Sequence, residues 1–217
     1  MTDGAPWGAP WLPEASTGLR DLSFAVVDLE TTGGTPRAFW DRRERFHPPS
    51  EITEVGVVLL SGTLRVGDFS SLCAVERGIP PVIQRLTGIT PDLLTPAPPW
   101  EQVVFRLAPA LEGRIWVAHN APFDGSFLKA YLPEGLWGRH RLLCTRRLAG
   151  AFLPEVRSRA LASLCAHLGI SNRRPHRALP DAEATAELLA HFLGLAENSG
   201  MEAEAFLHAG AIAWERL

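Results

Sequence analysis

Phe24-Ala25-Val26-Val27-Asp28-Leu29-Glu30-Thr31-Thr32-Gly33 is a short apolar run that ends in carboxylates. Its first part has the make-up of a buried strand. Residues two apart on a strand point to the same face, so Asp28 and Glu30 stand side by side at its end. Two anions held together repel unless a cation or a proton sits between them. Hard oxygen donors in such a pair suit Mg2+ or Mn2+. A strand-end Asp with a solvated Glu and an ordinary Thr-Thr-Gly turn would give the same letters, so Asp-x-Glu alone does not choose.

Ile52 to Leu60 and Leu64 to Val75 read as two further strands, with Ser61-Gly62 as the hairpin turn between them. The intervening segment from Thr35 to Ser50 has neither helical nor strand period, and reads as a charged loop carrying Arg37, Arg42, Arg43 and Arg45. Those arginines could grip phosphate, or simply face solvent. Val82 to Thr87 reads as a helical turn. Trp100 to Leu111 has apolar residues at helical spacing. Then follow a strand over Arg114 to His119, a helix over Pro122 to Tyr131 and a short strand over Arg141 to Cys144. Leu161 to Leu168, Asp181 to Leu193 and Glu202 to Trp214 read as helices. Strands first, then strand–helix alternation, predict an α/β fold with a mixed five-stranded sheet flanked by helices. The expected organisation is a flexible N-terminal arm over 1–20, holding Trp7 and Trp11, a main domain over 21–198 and a C-terminal helix over 199–217.

Composition bounds what such a chain does. Its 217 residues suffice for one good-sized domain, which buries roughly 70% of its unfolded surface. Hydrophobic residues at 46% and charged residues at 21% exclude wholesale disorder, collagen and coiled coil. The longest purely aliphatic run, Val57 to Leu60, is far too short for a bilayer span, and no signal peptide is visible. No membrane partner is expected. Cys73, Cys144 and Cys165 lack CxxC spacing and are odd in number, so a reduced, cytoplasmic setting is expected. A net charge of −3 is unlike a protein that coats duplexes. Binding of nucleic acid must then be local, through a metal site or a small basic patch.

Two more groups carry chemistry. His119-Asn120-Ala121-Pro122-Phe123-Asp124 leads from a strand into a helix. Asn120 suits an N-cap, Pro122 an early helical position and Asp124 the positive end of the helix dipole, an arrangement that needs no function. His176-Arg177-Ala178-Leu179-Pro180-Asp181 opens the next long helix and is weak in isolation. The conjunction is specific. A carboxylate pair, His-Asn-x-x-Phe-Asp and His-x-x-x-x-Asp occur in that order, each at a strand end or helix start. Together they resemble the DEDDh branch of the DnaQ-like 3′–5′ exonucleases, the group that includes the proofreading subunit of bacterial DNA polymerase III. The match spans about Phe24 to Leu193. A His rather than a Tyr ahead of the last Asp defines this branch.

The resemblance implies a ribonuclease H-like fold and a catalytic set of Asp28, Glu30, Asp124, His176 and Asp181. The four carboxylates would hold two Mg2+ or Mn2+ ions about 4 Å apart, an arrangement that clamps an in-line phosphoryl displacement. His176 matches the general base, and an imidazole is suited to take a proton from water at neutral pH. The implied product is a nucleoside 5′-monophosphate. Implied substrate contacts are Thr31, His119, Asn120 and Phe123, with Leu86 as an apolar wedge. Thr87 stands where the family often has a His, which puts that sugar contact in doubt.

The leading expectation is a 3′–5′ exonuclease on single-stranded DNA ends, in repair or proofreading. An exoribonuclease or short-oligonucleotide nuclease and a non-catalytic nucleic-acid-binding module are the alternatives. The intact acidic quartet argues against the last. A replication or repair protein is a further conceivable partner. Gln84 and Gln102 are the only glutamines, so no clamp-binding peptide is visible and a stand-alone enzyme is expected.

Overall fold

The computed structural model describes residues 18–217. Trp7 and Trp11 lie outside the described residues. The last part of the expected arm is docked rather than loose. Leu19 is buried in a 3-10 turn, and Arg20 pairs with Glu197 at 2.7 Å.

The chain then forms β1 (Ser23–Thr31), a small hairpin of β2 (Phe39–Trp40) and β3 (Phe46–His47), β4 (Ile52–Ser61) and β5 (Leu64–Leu72). Helices α1 (Pro81–Thr87), α2 (Pro91–Leu94) and α3 (Trp100–Leu111) precede β6 (Ile115–Ala118). Next come α4 (Ala121–Tyr131), α5 (Glu134–Trp137), β7 (Leu142–Cys144), α6 (Thr145–Phe152) and α7 (Leu161–Leu168). The long α8 (Ala178–Asn198), α9 (Ala203–Gly210) and β8 (Ala211–Ile212) complete the order.

The main sheet has the order β5-β4-β1-β6-β7-β8, six strands rather than the five expected. β1, β6 and β7 are parallel, and β4, β5 and β8 run antiparallel to their neighbours. The extra strand lies where a helix was expected to continue to Trp214. Helix α9 stops at Gly210, and Ala211 and Ile212 pair with Leu143 and Leu142 instead. The unpaired edge of β7 recruits them, a long-range event that local periodicity does not encode. The expected loop over 35–50 contains the β2–β3 hairpin.

Alternation along β1 sorts the two faces. Phe24 and Val26 join a core with Leu188, Phe192 and Phe206, on the α8 and α9 side. Ala25, Val27 and Leu29 join Leu107, Phe127 and Trp116, on the α3 and α4 side. Asp28 and Glu30 continue the parity of Phe24 and Val26, so both carboxylates face α8. On β4, Glu54 and Gly56 share the parity of Val58 and face the same way. Gly56 is the position where α8 comes closest. A Cβ there would sit 2.3 Å from the carbonyl carbon of Ala178 and the nitrogen of Leu179. Glycine therefore lets the first turn of α8 lie against β4, opposite Asp28 in the β1–β4 register.

Candidate active site

Asp28, Glu30, Asp124, His176 and Asp181 line one cleft of about 430 Å3 at the carboxyl end of β1. Asp124 comes from the first turn of α4. It is buried, and its Oδ1 accepts the N–H of Leu29 at 3.2 Å, which fixes α4 to the strand between the two β1 carboxylates. Asp181 comes from the first turn of α8. One of its oxygens accepts from the Asn172 side chain, the other from the His176 N–H at 2.9 Å. His176 is exposed and adopts φ +63°, a left-handed backbone rare for a residue with a side chain. One ligand atom each of Glu30, His176 and Asp181 lies within 4.8 Å of the others.

Crowding of carboxylates dominates the electrostatics. Burial pushes Asp28 well above the usual carboxylate range, and Asp124, Asp181 and Glu30 push it further. Glu30 is pushed up to about 8, by burial first and then by Asp181, Glu54 and Asp124, with Arg177 opposing. Asp124 is pushed up to about 7 by burial, against the backbone hydrogen bonds that favour its charge. Asp181 is raised by burial, while Asn172 and His176 pull the other way. Four carboxylates in one cleft, with the exposed imidazole of His176 beside Glu30 and Asp181, form an oxygen-rich donor set that fits divalent cations. Such ions would relieve the repulsion that protons otherwise relieve.

The expected substrate contacts all line the same cleft, in different states. Leu86 is half exposed. Phe123 is half-buried, tilted against Phe127 at 5.1 Å, with part of its ring facing the cleft. Thr31 is buried and donates its hydroxyl to the Gly33 carbonyl at 2.6 Å. Thr87 donates to the Ile83 carbonyl and accepts from Ile89 N–H. Asn120 occupies the N-cap position without a side-chain cap bond, and its Oδ1 accepts from Arg146 at 3.1 Å.

His119 differs most from expectation. It is buried, and both ring nitrogens are engaged within the protein. Nε2 must donate to the Arg159 carbonyl at 2.9 Å, so Nδ1 accepts from the Thr145 hydroxyl at 2.9 Å. Burial pushes its pKa down to about 4 and keeps the ring neutral. His119 braces the segment that leads to Leu161 at the cleft.

Sequence reasoning missed Glu54, Arg177, Asn172 and Gly56. The available signals were a charged residue inside an otherwise apolar β4, and an arginine directly after His176. Neither pointed to the other.

A protein-family model described as Exonuclease, of the RNase T type, matches residues 25–189. A Mycobacterium tuberculosis protein named as a bifunctional exonuclease/endonuclease is 38% identical over 207 residues, covering 92% of this chain and 31% of the relative. A PolC-type DNA polymerase III from Thermotoga maritima is 33% identical over 183 residues, covering 83% of this chain and 12% of that protein. Exonuclease X, solved in complex with 5′-overhanging duplex DNA, superposes with a TM-score of 0.65 at 25% identity, covering 86% of this chain and 98% of the other. The nuclease domain of 3′hExo, a DEDDh family member bound to rAMP, shares the fold at a TM-score of 0.62 and 20% identity, covering 79% and 92%. The chain spans less than a third of the length of the two curated relatives.

The chain belongs to the DnaQ-like 3′–5′ exonuclease family and has a ribonuclease H-like fold. Exonucleases of this family are phosphodiester hydrolases that generally use divalent metal ions. Among the described residues no helix is long and apolar enough to cross a membrane.

Proposed function

We propose that this chain releases nucleoside 5′-monophosphates from the 3′ ends of single-stranded DNA, in repair or proofreading, with Mg2+ or Mn2+ as its metal. The supporting observation is the convergence of Asp28, Glu30, Asp124 and Asp181, from three distant parts of the chain, beside His176. The DNA assignment draws on the polymerase and the DNA-bound exonuclease among the relatives.

Asp28, Glu30, Asp124 and Asp181 would hold the ions, which supply charge neutralisation for the reacting phosphate and activation of water. Leu86 and Phe123 flank the terminal nucleotide, the first by wedging and the second by stacking on a base without regard to its identity. Water adds to phosphorus and the P–O3′ bond breaks. The imidazole of His176 takes the water's proton, the departing O3′ takes a proton from solvent, and the shortened strand leaves with a 3′-hydroxyl while His176 returns its proton to solvent. The Asn172 and His176 N–H bonds to Asp181 fix the base relative to the carboxylates.

A degradation time course on matched single-stranded DNA and RNA oligomers tests this reading. Stepwise shortening from the 3′ end, stopped by EDTA and absent in Asp181→Ala, is the expected result. RNA degraded far faster than DNA transfers the proposal to an exoribonuclease. Tight binding without cleavage by the wild type supports a non-catalytic module.

A further inference from the structure

The β2–β3 hairpin, inserted between β1 and β4, is well organised yet adds little to the core. Asp41 locks its tip. Its Oδ1 accepts the N–H groups of Arg43 and Arg45 at 2.8 and 3.0 Å, and its Oδ2 meets Arg45 Nε at 2.8 Å and His47 Nε2 at 3.0 Å. Glu44 takes a left-handed φ of +56° to close the turn. An isolated two-stranded hairpin is marginal in water, so these contacts account for its order. The ribbon leaves Trp40 at 69%, Phe46 at 54% and Phe39 at 45% exposure. Trp40 packs on Phe46, and Phe39 stacks on His47 at 4.6 Å. Adjacent cross-strand pairs lie on opposite faces of a ribbon, so each face displays one aromatic pair.

Charge indicates what covers these rings. The segment from Thr35 to Ser50 holds four arginines against Asp41 and Glu44, in a chain whose net charge is −3. Asp41 is engaged by Arg45, and Arg37 donates to the Leu217 carbonyl at 2.7 Å. Arg42 and Arg43 have no acidic partner among the described residues. The hairpin also continues the ladder that bears the catalytic carboxylates. Thr32 N–H bonds the Glu51 carbonyl, and Ser50 N–H the Thr35 carbonyl, each at 2.8 Å. Gly34 lines the cleft, and six residues of chain place Trp40 no more than about 20 Å from it.

We propose that this hairpin is a second nucleic-acid contact, holding a single strand upstream of the 3′ end that enters the cleft. Trp40 and Phe46 stack on bases, and Arg42 and Arg43 bind phosphates. The inference rests on the exonuclease reading for its choice of ligand, and its test is separable from that reading.

Anisotropy of a labelled single-stranded DNA 20-mer, in EDTA so that no cleavage occurs, is the measurement. In both W40A/F46A and R42A/R43A the Kd rises tenfold or more. R42A/R43A also lowers the slope of log K against log salt by about 1.4, for two lost phosphate contacts. Hydrolysis of a dinucleotide too short to reach the hairpin is unchanged in both. An unchanged Kd for the 20-mer, no binding by the wild type, or a dimer that the substitutions dissociate overturns the proposal. Absence of dinucleotide hydrolysis in wild type and variants alike, with 20-mer binding still lost in the variants, refutes the catalytic reading and leaves the hairpin assignment standing.

Discussion

Arg177, half-buried, and Glu54, buried, form an ion pair across 123 residues of chain, with Arg177 Nε donating to the Glu54 carboxylate at 2.8 Å. The Ala178 N–H donates to the same carboxylate at 3.0 Å. Glu54 is 3% exposed and stands opposite Glu30 in the β1–β4 register. The pair thus nails the backbone just after His176, and the start of α8, to the strand beside the carboxylates of the cleft.

Removing Glu54 leaves the Arg177 charge without its partner, and because Arg177 keeps partial access to water the loss falls below the about 3–5 kcal/mol of fully buried pairs. Glu54→Gln is expected to destabilise the protein and lower kcat. Replacing both partners by Met removes the stranded charge, so stability largely returns. The anchor for His176 does not return, and kcat stays low. Urea unfolding and kcat measured on the three proteins check this. Recovery of full turnover in the double variant counts against the positioning role.

Gly56→Ala places a Cβ 2.3 Å from backbone atoms at the start of α8, and backbone cannot yield as a side-chain tip can. Overpacking of this kind costs about 1–3 kcal/mol. Because Asp181 rides on the displaced turn, weaker Mn2+ binding is expected along with the lower stability. Calorimetric titration of Mn2+ into the variant reads the second effect. Stability lost with metal affinity intact would show that α8 yields elsewhere.

His176 holds a left-handed backbone that glycine adopts without strain. His176→Gly is therefore expected to keep or slightly raise folding stability. Turnover is expected to fall by roughly 10²–10⁴-fold, the usual contribution of a general base. Thermal unfolding beside single-turnover kinetics separates the two effects, and undiminished turnover removes His176 from the mechanism.

Crowding of carboxylates gives the metal-free protein a defined pH response. Glu30 is raised from 4.5 to about 8, and Asp124 from 3.8 to about 7. The folded state thus keeps protons that the unfolded state has already released. Their contribution to stability is full below about pH 4 and is lost as pH rises through 7 and 8. In EDTA, Tm is expected to fall across this window, and less steeply in Glu30→Gln. Excess Mn2+, which binds the charged form, is expected to flatten or reverse the fall. A Tm independent of pH between 5 and 8 in EDTA contradicts this.

Sequence periodicity located most elements because their signals are local. Trp100–Leu111 and Leu161–Leu168 follow helical spacing, and Ile52–Ser61 and Ser23–Thr31 are apolar enough to be strands. Helix α6, over Thr145–Phe152, was missed because its first turn, Thr145-Arg146-Arg147, gives no apolar run. The β2–β3 hairpin was missed because strands of two residues have no measurable period.

The amino-acid order by itself determined the fold class and the identities of the five converging residues. Strand alternation and helix starts are properties of short segments, as is each of the three motifs whose joint resemblance to a known family singled out Asp28, Glu30, Asp124, His176 and Asp181. Only the tertiary structure decided how those residues are held. The Glu54–Arg177 pair, the approach of α8 over Gly56 and the neutral His119 brace each join segments dozens of residues or more apart. Such contacts depend on which surfaces meet after the sheet closes, and no local pattern carries that information.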